Sequence, residues 1–224
     1  MPKVKLPRKS TNIDMTAMCD VAFLLLSFFI LTTKFKPAEA LSVVTPNSVS
    51  AKIAPQKDAV LITIDKGGKV YFSVSDVNTA EKKAILDAVN TSRNLGLTPA
   101  EINAFAKNPT GYIGVPFSQL KSYLGKTADE TKGLNLPGIP TLDSTNNELV
   151  EWMRASQTAF AGTKMELLVK GDNNAKYPAF KSVIDAFKKN DLLKFQMITN
   201  PEGVPVGSEL YKKNLNPDAA KASQ

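Results

Sequence analysis

The chain has 224 residues, and 28 lysine and arginine residues against 21 aspartate and glutamate residues give it a formal net charge of +7. This length is enough for one membrane helix and one globular domain of ordinary size. The sequence has no histidine and a single cysteine, Cys19, which excludes Ser-His and Cys-His catalytic pairs, histidine-ligated zinc and an intrachain disulfide. The basic residues are dispersed without an aromatic stacking ladder, so we expect no nucleic-acid partner. Any proton chemistry must use carboxylates.

Residues 15 to 33 form an apolar segment about as long as a helix that spans a bilayer, and Asp20 is its only charged residue. A carboxylate at mid-bilayer depth costs roughly 2.5–3.5 kcal/mol on insertion scales, so it is expected only where a function or a partner compensates for that cost. At helical spacing, Thr16 and Ser27 fall on the same face as Asp20. We therefore take Asp20 as the centre of the mechanism and expect this polar face to contact protein rather than lipid.

Two other interpretations of this segment are open. In the first it is a cleaved signal peptide, with residues 21–31 as its apolar core and 38–40 as the cleavage site. Asp20 at the edge of that core, and Lys34 and Lys36 between the core and the site, argue against it. In the second, Asp20 only caps a helix that begins after it, but residues 21–31 alone are too short to cross a bilayer.

Basic residues on both sides of the apolar segment bear on its orientation. Four precede it and three follow it within about twenty residues: Lys3, Lys5, Arg8, Lys9, Lys34, Lys36 and Lys52. The favoured arrangement keeps residues 1–14 in the cytoplasm and translocates the long remainder, because long segments cross a membrane largely regardless of charge.

Residues 34–58 contain three prolines and no amphipathic period, which predicts an extended linker. Fully stretched, this linker could reach roughly 75–90 Å. Within it, Leu41, Val43 and Val44 make a short apolar run that could pair as a strand with another chain. A merely flexible tether explains the same residues equally well.

The segment 59–146 begins with two apolar runs, 59–65 and 69–74, around Gly67 and Gly68, which predicts a β-hairpin. Three helices are predicted after it. The first covers residues 79–89, the second begins with Thr98 as its N-cap and runs to about Lys107, and the third covers 117–124. Residues 133–141 are predicted to form a loop.

The residues after 144 are predicted to form one helix and then a βαβ unit. A capping pattern at 145–148 begins a helix through Phe160. A strand over 164–170, a helix over 177–189 and a strand over 193–199 then predict a right-handed βαβ unit with parallel strands. Asp172 follows the first strand. An aspartate at such a position more often forms a turn than binds a ligand. Residues 211–224 are predicted to be a flexible tail.

The membrane segment resembles the signature of the ExbD/TolR family, in which a Thr-Pro pair precedes a membrane aspartate followed by an aliphatic run. Residues 14–26 carry this pattern, with Thr16 at the threonine position and Asp20 at the aspartate position. Ala17 occupies the position at which many members have proline.

Two further stretches are similar to the same family. Residues 167–199 resemble its strand, Asp-containing turn, Tyr-containing helix and closing strand, and residues 41–46 resemble its short apolar linker strand that ends in proline. Between the hairpin and the penultimate helix this chain has an insertion, residues 76–146, which most members lack.

The resemblance implies a single N-terminal transmembrane helix plus a periplasmic α+β domain over residues 59–210, with the hairpin, helices and βαβ unit in one small mixed sheet. It implies a non-enzymatic stator subunit of an inner-membrane motor driven by the proton motive force, with Asp20 as proton carrier and no cofactor. The implied partners are a second copy, a polytopic ring similar to ExbB or TolQ, and a TonB- or TolA-like periplasmic protein. The alternative is a membrane-anchored periplasmic binding module without a proton role.

Overall fold

The structure is a computed structural model that describes residues 15–32, 41–49, 53–108, 111–126, 128–131, 134–143, 145–208 and 211. The chain divides into two compact units, residues 1–37 and 38–224. The predicted cytoplasmic tail, 1–14, and all of the predicted C-terminal tail except residue 211 lie outside the described residues.

The described part of the first unit is a single helix, α1 (Met15–Thr32). It matches the helix predicted over 15–33 to within one residue. Among the described residues it is the one helix that is long and apolar enough to cross a membrane. Its 18 residues rise about 27 Å, close to the hydrocarbon thickness of a bilayer.

The second unit is an α+β domain with a mixed sheet, as predicted. Its elements in chain order are β1 (Asn47–Ser48), β2 (Ala59–Ile64), β3 (Val70–Val74), α2 (Thr79–Arg93), α3 (Pro99–Ala106), β4 (Tyr112–Ile113), α4 (Phe117–Leu124), α5 (Ala128–Thr131), α6 (Leu149–Ala159), β5 (Glu166–Gly171), α7 (Tyr177–Lys188), β6 (Gln196–Met197) and β7 (Asn200–Pro201).

Five strands form the main sheet in the order β4-β3-β2-β5-β6. The predicted hairpin is present, because β2 and β3 pair antiparallel with Val60 opposite Val74. The turn between them uses Gly68 at φ +80°, a conformation that glycine adopts without steric cost. The predicted parallel βαβ unit is also present, since β5 pairs parallel with β6 and α7 connects them.

The insertion contributes helices and one strand to the same domain. Its strand β4 extends the sheet by pairing with the outer edge of β3. Of its helices, α3 begins as predicted, with a capping box. The Thr98 side chain accepts from the Glu101 backbone N–H, and the Glu101 carboxylate accepts from the Thr98 backbone N–H. Helix α2 extends four residues beyond the predicted end at Val89, and the short α5 was not predicted.

The predicted start of the next helix is wrong. Helix α6 begins at Leu149, and the Thr145 backbone N–H and hydroxyl both donate to Asp143 instead. The Glu148 carboxylate, predicted to cap its own helix, accepts from the Phe117 backbone N–H at 2.8 Å. Glu148 therefore caps α4, a helix 31 residues away in sequence, which a local sequence pattern cannot indicate.

The last strand is shorter than predicted. Instead of one strand over 193–199, the structure has β6 at residues 196–197 and β7 at 200–201. The second of these pairs parallel with β1, which belongs to the predicted linker. The segment after α7 thus changes its partner from the central sheet to the linker.

The hydrophobic core is centred on Trp152 of α6, which is completely buried. Its ring stacks on Phe72 of β3 at a centroid distance of 5.2 Å and lies 5.5 Å from the ring of Phe117. Phe72 belongs to the hairpin and Phe117 to the insertion. The core is therefore shared between the α+β framework and the inserted helices.

We predict that Gly114→Ala destabilises the domain. A Cβ at this position would lie 2.6 Å from Cε1 of Tyr71, inside van der Waals contact. Because overpacking of a tight core typically costs about 1–3 kcal/mol, the free energy of unfolding should fall by that amount. Urea unfolding followed by the fluorescence of Trp152, the single tryptophan, measures the change. Gly203→Ala is the matched control, since a Cβ there meets no atom within 4 Å, and an equal loss in both variants would contradict the prediction.

Candidate functional site

The structure places the three predicted membrane residues on one helix. Asp20, Thr16 and Ser27 all lie within α1, and at 100° per residue their directions differ by about 40° at most. Asp20 is the only charged residue between Met15 and Thr32. Within this helix a single carboxyl group therefore lies on a narrow polar stripe.

Two hydroxyl groups of α1, those of Ser27 and Thr32, donate to carbonyl groups of the helix itself. Ser27 Oγ donates to the Leu24 carbonyl at 2.9 Å, and Thr32 Oγ1 donates to the Phe28 carbonyl at 2.7 Å. Such back-bonding satisfies a hydroxyl in apolar surroundings without a second chain. The Ser27 hydroxyl is thus compatible both with a protein-facing stripe and with simple helix packing.

A second candidate site lies in the other unit, where the linker meets the folded domain. The backbone N–H of Val44 donates to Asp172 Oδ2 at 3.1 Å, and the backbone N–H of Asn173 donates to the Val44 carbonyl at 2.8 Å. Both backbone groups of Val44 are therefore held by the turn that follows β5. We call the segment 41–49 together with these contacts the linker clasp.

The clasp continues beyond Val44. Thr45 Oγ1 donates to Asn200 Oδ1 at 2.8 Å, and Asn200 Nδ2 donates to the Thr45 carbonyl at 3.1 Å. The backbone then forms the parallel pair of β1 and β7, with Asn47 opposite Asn200. The linker is thereby bonded to two separate parts of the domain, the end of β5 and β7.

The predicted interaction residues of the linker take different positions in the clasp. Leu41 packs against the hydrophobic core, Val43 is half-buried, and the side chain of Val44 is 64 % exposed. Val44 makes its contacts through its backbone.

Asp172 has the turn-forming role expected from the sequence and a further role. Its Oδ1 accepts from the Asn174 backbone N–H at 2.9 Å, which forms the turn, while Oδ2 holds Val44. These two backbone donors, with Lys66 nearby, lower the pKa of Asp172 below its ordinary value. The sequence does not indicate the second role or the Asn200 contact, because their partners are 128 and 155 residues away.

The described residues contain no group of three or more cysteine, aspartate or glutamate side chains that could hold a metal ion. The carboxylates of the domain act instead in caps and ion pairs. Glu151, for example, accepts from Ser92 and pairs with Arg93, which joins α6 to the end of α2.

Comparisons with known proteins identify the chain's relatives. A family described as "Biopolymer transport protein ExbD/TolR" matches residues 7–202. The chain is also 29 % identical to the "Biopolymer transport protein ExbD" of Aquifex aeolicus (strain VF5) over 97 residues, which are 43 % of this chain and 70 % of that protein. No solved structure matches.

The family match covers α1, the linker clasp and the whole of the main sheet. It therefore includes Asp20, the βαβ unit and the insertion between them. The chain belongs to the ExbD/TolR family of biopolymer transport proteins.

Proposed function

We propose that the chain is a stator subunit of a proton-driven motor in the inner membrane, with Asp20 as the proton carrier. The observation that carries the proposal is the single charged residue of α1, a helix apolar enough to span a bilayer. Membership of a biopolymer transport family supports it. An unpaired carboxylate at that depth is costly, so its presence favours a function that uses the charge.

The physical basis is a carboxyl group that alternates between two surroundings. Burial in an apolar environment raises the pKa of a carboxyl group, and a hydroxyl donor or cation contributed by a neighbouring chain lowers it. A cycle between such surroundings loads Asp20 from the periplasm and discharges it to the cytoplasm. The membrane potential supplies about 2.3 kcal/mol per charge per 100 mV, and the pH difference supplies about 1.36 kcal/mol per unit.

This mechanism requires partners that hold α1 away from lipid. We propose that two copies of the chain lie inside a polytopic ring similar to ExbB or TolQ. The force then acts on a TonB- or TolA-like protein that spans the periplasm. Residues 1–14 face the cytoplasm in this arrangement and the α+β domain lies in the periplasm.

The linker clasp sets how far the domain can move from the membrane. With the clasp formed, the tether runs from Thr32 to Val44 and can span at most roughly 40 Å. With the clasp released, the tether runs from Thr32 to Asp58 and can span roughly 90 Å. We propose that release of the clasp provides the additional length. The clasp uses few hydrogen bonds at the edge of the domain, which is typical of contacts that open without global unfolding.

Asp20→Asn is predicted to abolish energised transport while assembly stays normal. Asparagine is close in size to aspartate but cannot take up and release a proton, so transport should fall to the level of a strain that lacks the protein. The measurement is uptake of a TonB-dependent nutrient in the native host, together with an assay of envelope integrity. Protein level and recovery of the complex are measured in the same cells.

Asp20→Glu is the matched variant, since it keeps a titratable carboxyl group at the same helix position. We expect it to retain part of the activity. The alternative function, a membrane-anchored binding module without a proton role, predicts full activity for Asp20→Asn. Full activity in that variant would show that Asp20 does not carry protons.

A second prediction concerns the clasp. Asp172→Ala removes the acceptor for the Val44 backbone N–H, so hydrogen exchange at residues 44–48 should become at least several-fold faster. Strands β2 and β5 should keep their protection, because they pair along their whole length. Hydrogen exchange followed by mass spectrometry measures both regions. Asp87→Ala, at an exposed position of α2 outside the clasp, is the control.

The clasp should also depend on pH. The pKa of Asp172 is lower in the folded protein than its ordinary value, which is about 3.9 for aspartate. The stabilisation from its charged form is therefore fully present above that ordinary value and is lost as the pH falls through the lower, folded-state pKa. Protection of Val44 that disappears at neutral pH in the unmodified chain would contradict this assignment.

A further inference from the structure

Three segments of the domain meet at one end of the main sheet. The turn between β2 and β3 contacts the first turn of α7, since a Cβ on Gly68 would lie 3.2 Å from the Cβ of Ala179. The loop that joins β5 to α7 contacts both β2 and the linker clasp, because the Asp172 backbone N–H donates to the Ile64 carbonyl and the Asp172 side chain accepts from the Val44 backbone N–H. The β2–β3 turn, the β5–α7 loop and the clasp are therefore neighbours.

These neighbouring segments concentrate positive charge. Residues 65–69 and 170–181 contain five lysines and two aspartates, so 17 residues carry a net charge of +3 out of the +7 of the whole chain. Both aspartates accept hydrogen bonds from backbone N–H groups of the same turns. The side chains of Lys66, Lys176 and Lys181 are exposed. Within the described residues, Lys176 and Lys181 form no ion pair with a carboxylate, which leaves their charges open to an external anion.

Two large apolar side chains are exposed among these lysines. Tyr177 is the first residue of α7 and is 71 % exposed, and Val44 of the clasp is 64 % exposed. Lys181 follows Tyr177 by four residues, so the two side chains share one face of α7. Tyrosine rings lie at the level of the lipid headgroups in membrane interfaces, where lysines meet anionic lipids. We call Val44, Lys66, Lys176, Tyr177 and Lys181 the lysine face.

We propose that the lysine face docks the domain on the surface of a membrane that contains anionic phospholipids. The ammonium groups bind the headgroup phosphates, while the Tyr177 ring and the Val44 side chain lie among the headgroups. Each lysine at such a surface strengthens binding roughly fivefold, and salt weakens the attraction. The proposal rests on the membrane insertion of α1 under the proposed function, but not on the proton-carrying role of Asp20.

The covalent tether favours a membrane over a soluble acidic protein as the occupant of this face. With the clasp formed, the tether from Thr32 to Val44 can span at most roughly 40 Å. A bilayer that holds α1 is therefore within reach of the domain, which makes docking an intramolecular event at high effective concentration. The apolar groups of the face are Tyr177 and Val44, whereas a stable protein–protein interface has a cluster of aromatic and aliphatic side chains at its centre.

The experiment uses the full-length chain in phospholipid vesicles that contain a dansyl-labelled lipid as an energy acceptor for tryptophan. Tyr177→Trp places a donor on the lysine face, and Val77→Trp places one at a similarly exposed position beyond the other end of β3. Trp152 is the single tryptophan of the unmodified chain, which measures the common background. With phosphatidylglycerol present, transfer above background should be at least about twofold larger from Tyr177→Trp, because the docked face lies at the headgroups. In phosphatidylcholine alone the difference should disappear.

Charge variants test whether the lysines cause the docking. Lys66→Gln together with Lys176→Gln, made in the Tyr177→Trp reporter, should weaken docking roughly 25-fold, since each lysine contributes about fivefold. Energy transfer with phosphatidylglycerol should then fall to its value in phosphatidylcholine. Lys83→Gln with Lys126→Gln is the matched control, because it removes the same charge from exposed positions of the insertion. This control pair should leave the transfer unchanged.

Flotation of the vesicles in high salt shows separately whether α1 has inserted. Failure of α1 to insert would overturn this proposal together with the proposed function. With α1 inserted, equal energy transfer from the two reporters would overturn the docking alone, and an acidic protein as the true occupant would give that result. An equal loss in the two charge-variant pairs would also overturn it, because the net charge of the chain would then be responsible. Asp20→Asn should dock like the unmodified chain.

Discussion

The parallel pairing of β2 with β5 is the constraint on which the rest of the domain depends. Each of the six residues of β2, from Ala59 to Ile64, has a partner in β5, although more than 100 residues separate the two strands in the chain. This pairing joins the N-terminal hairpin to the C-terminal βαβ unit in one sheet. It also fixes the end of β5, where the Asp172 backbone N–H donates to the Ile64 carbonyl. The side chain of Asp172 is thereby positioned to hold Val44.

The insertion is accommodated without disturbing that pairing. Its strand β4 occupies the outer edge of β3, opposite the edge that pairs with β2. Arg93 joins its helix α2 to two other helices: it pairs with Glu151 of α6, and it lies over the ring of Phe117 of α4, 5.3 Å from the ring centroid. Burial raises the pKa of Glu148, which caps α4. The inserted residues thus complete the packing around Trp152 and are not an appendage of the core.

The sequence predicts an element correctly where that element depends on contacts between residues that are close in the chain. The hairpin and α3 depend on contacts between residues that are close in sequence, and both occur where the pattern places them. The sequence predicts one local role each for Glu148 and Asp172. Asp172 has that role and Glu148 does not, and both side chains accept from a backbone N–H far away in sequence. The split of the last strand into β6 and β7 has the same origin, because β7 exists only through its pairing with the linker.

The sequence pattern identifies the polar residues of the apolar segment, but it does not identify the groups that would stabilise the charge of Asp20. Thr16 and Ser27 share a face with Asp20, and Ser27 already donates its hydroxyl to the Leu24 carbonyl of its own helix. That hydroxyl cannot donate to Leu24 and to a carboxylate at the same time, because a serine carries one hydroxyl proton. The Ser27 hydroxyl is therefore not free to stabilise the charged form of Asp20 in this arrangement. Under the proposed function, we expect other chains to provide groups that do so. In the proposed motor, the surrounding ring supplies these groups.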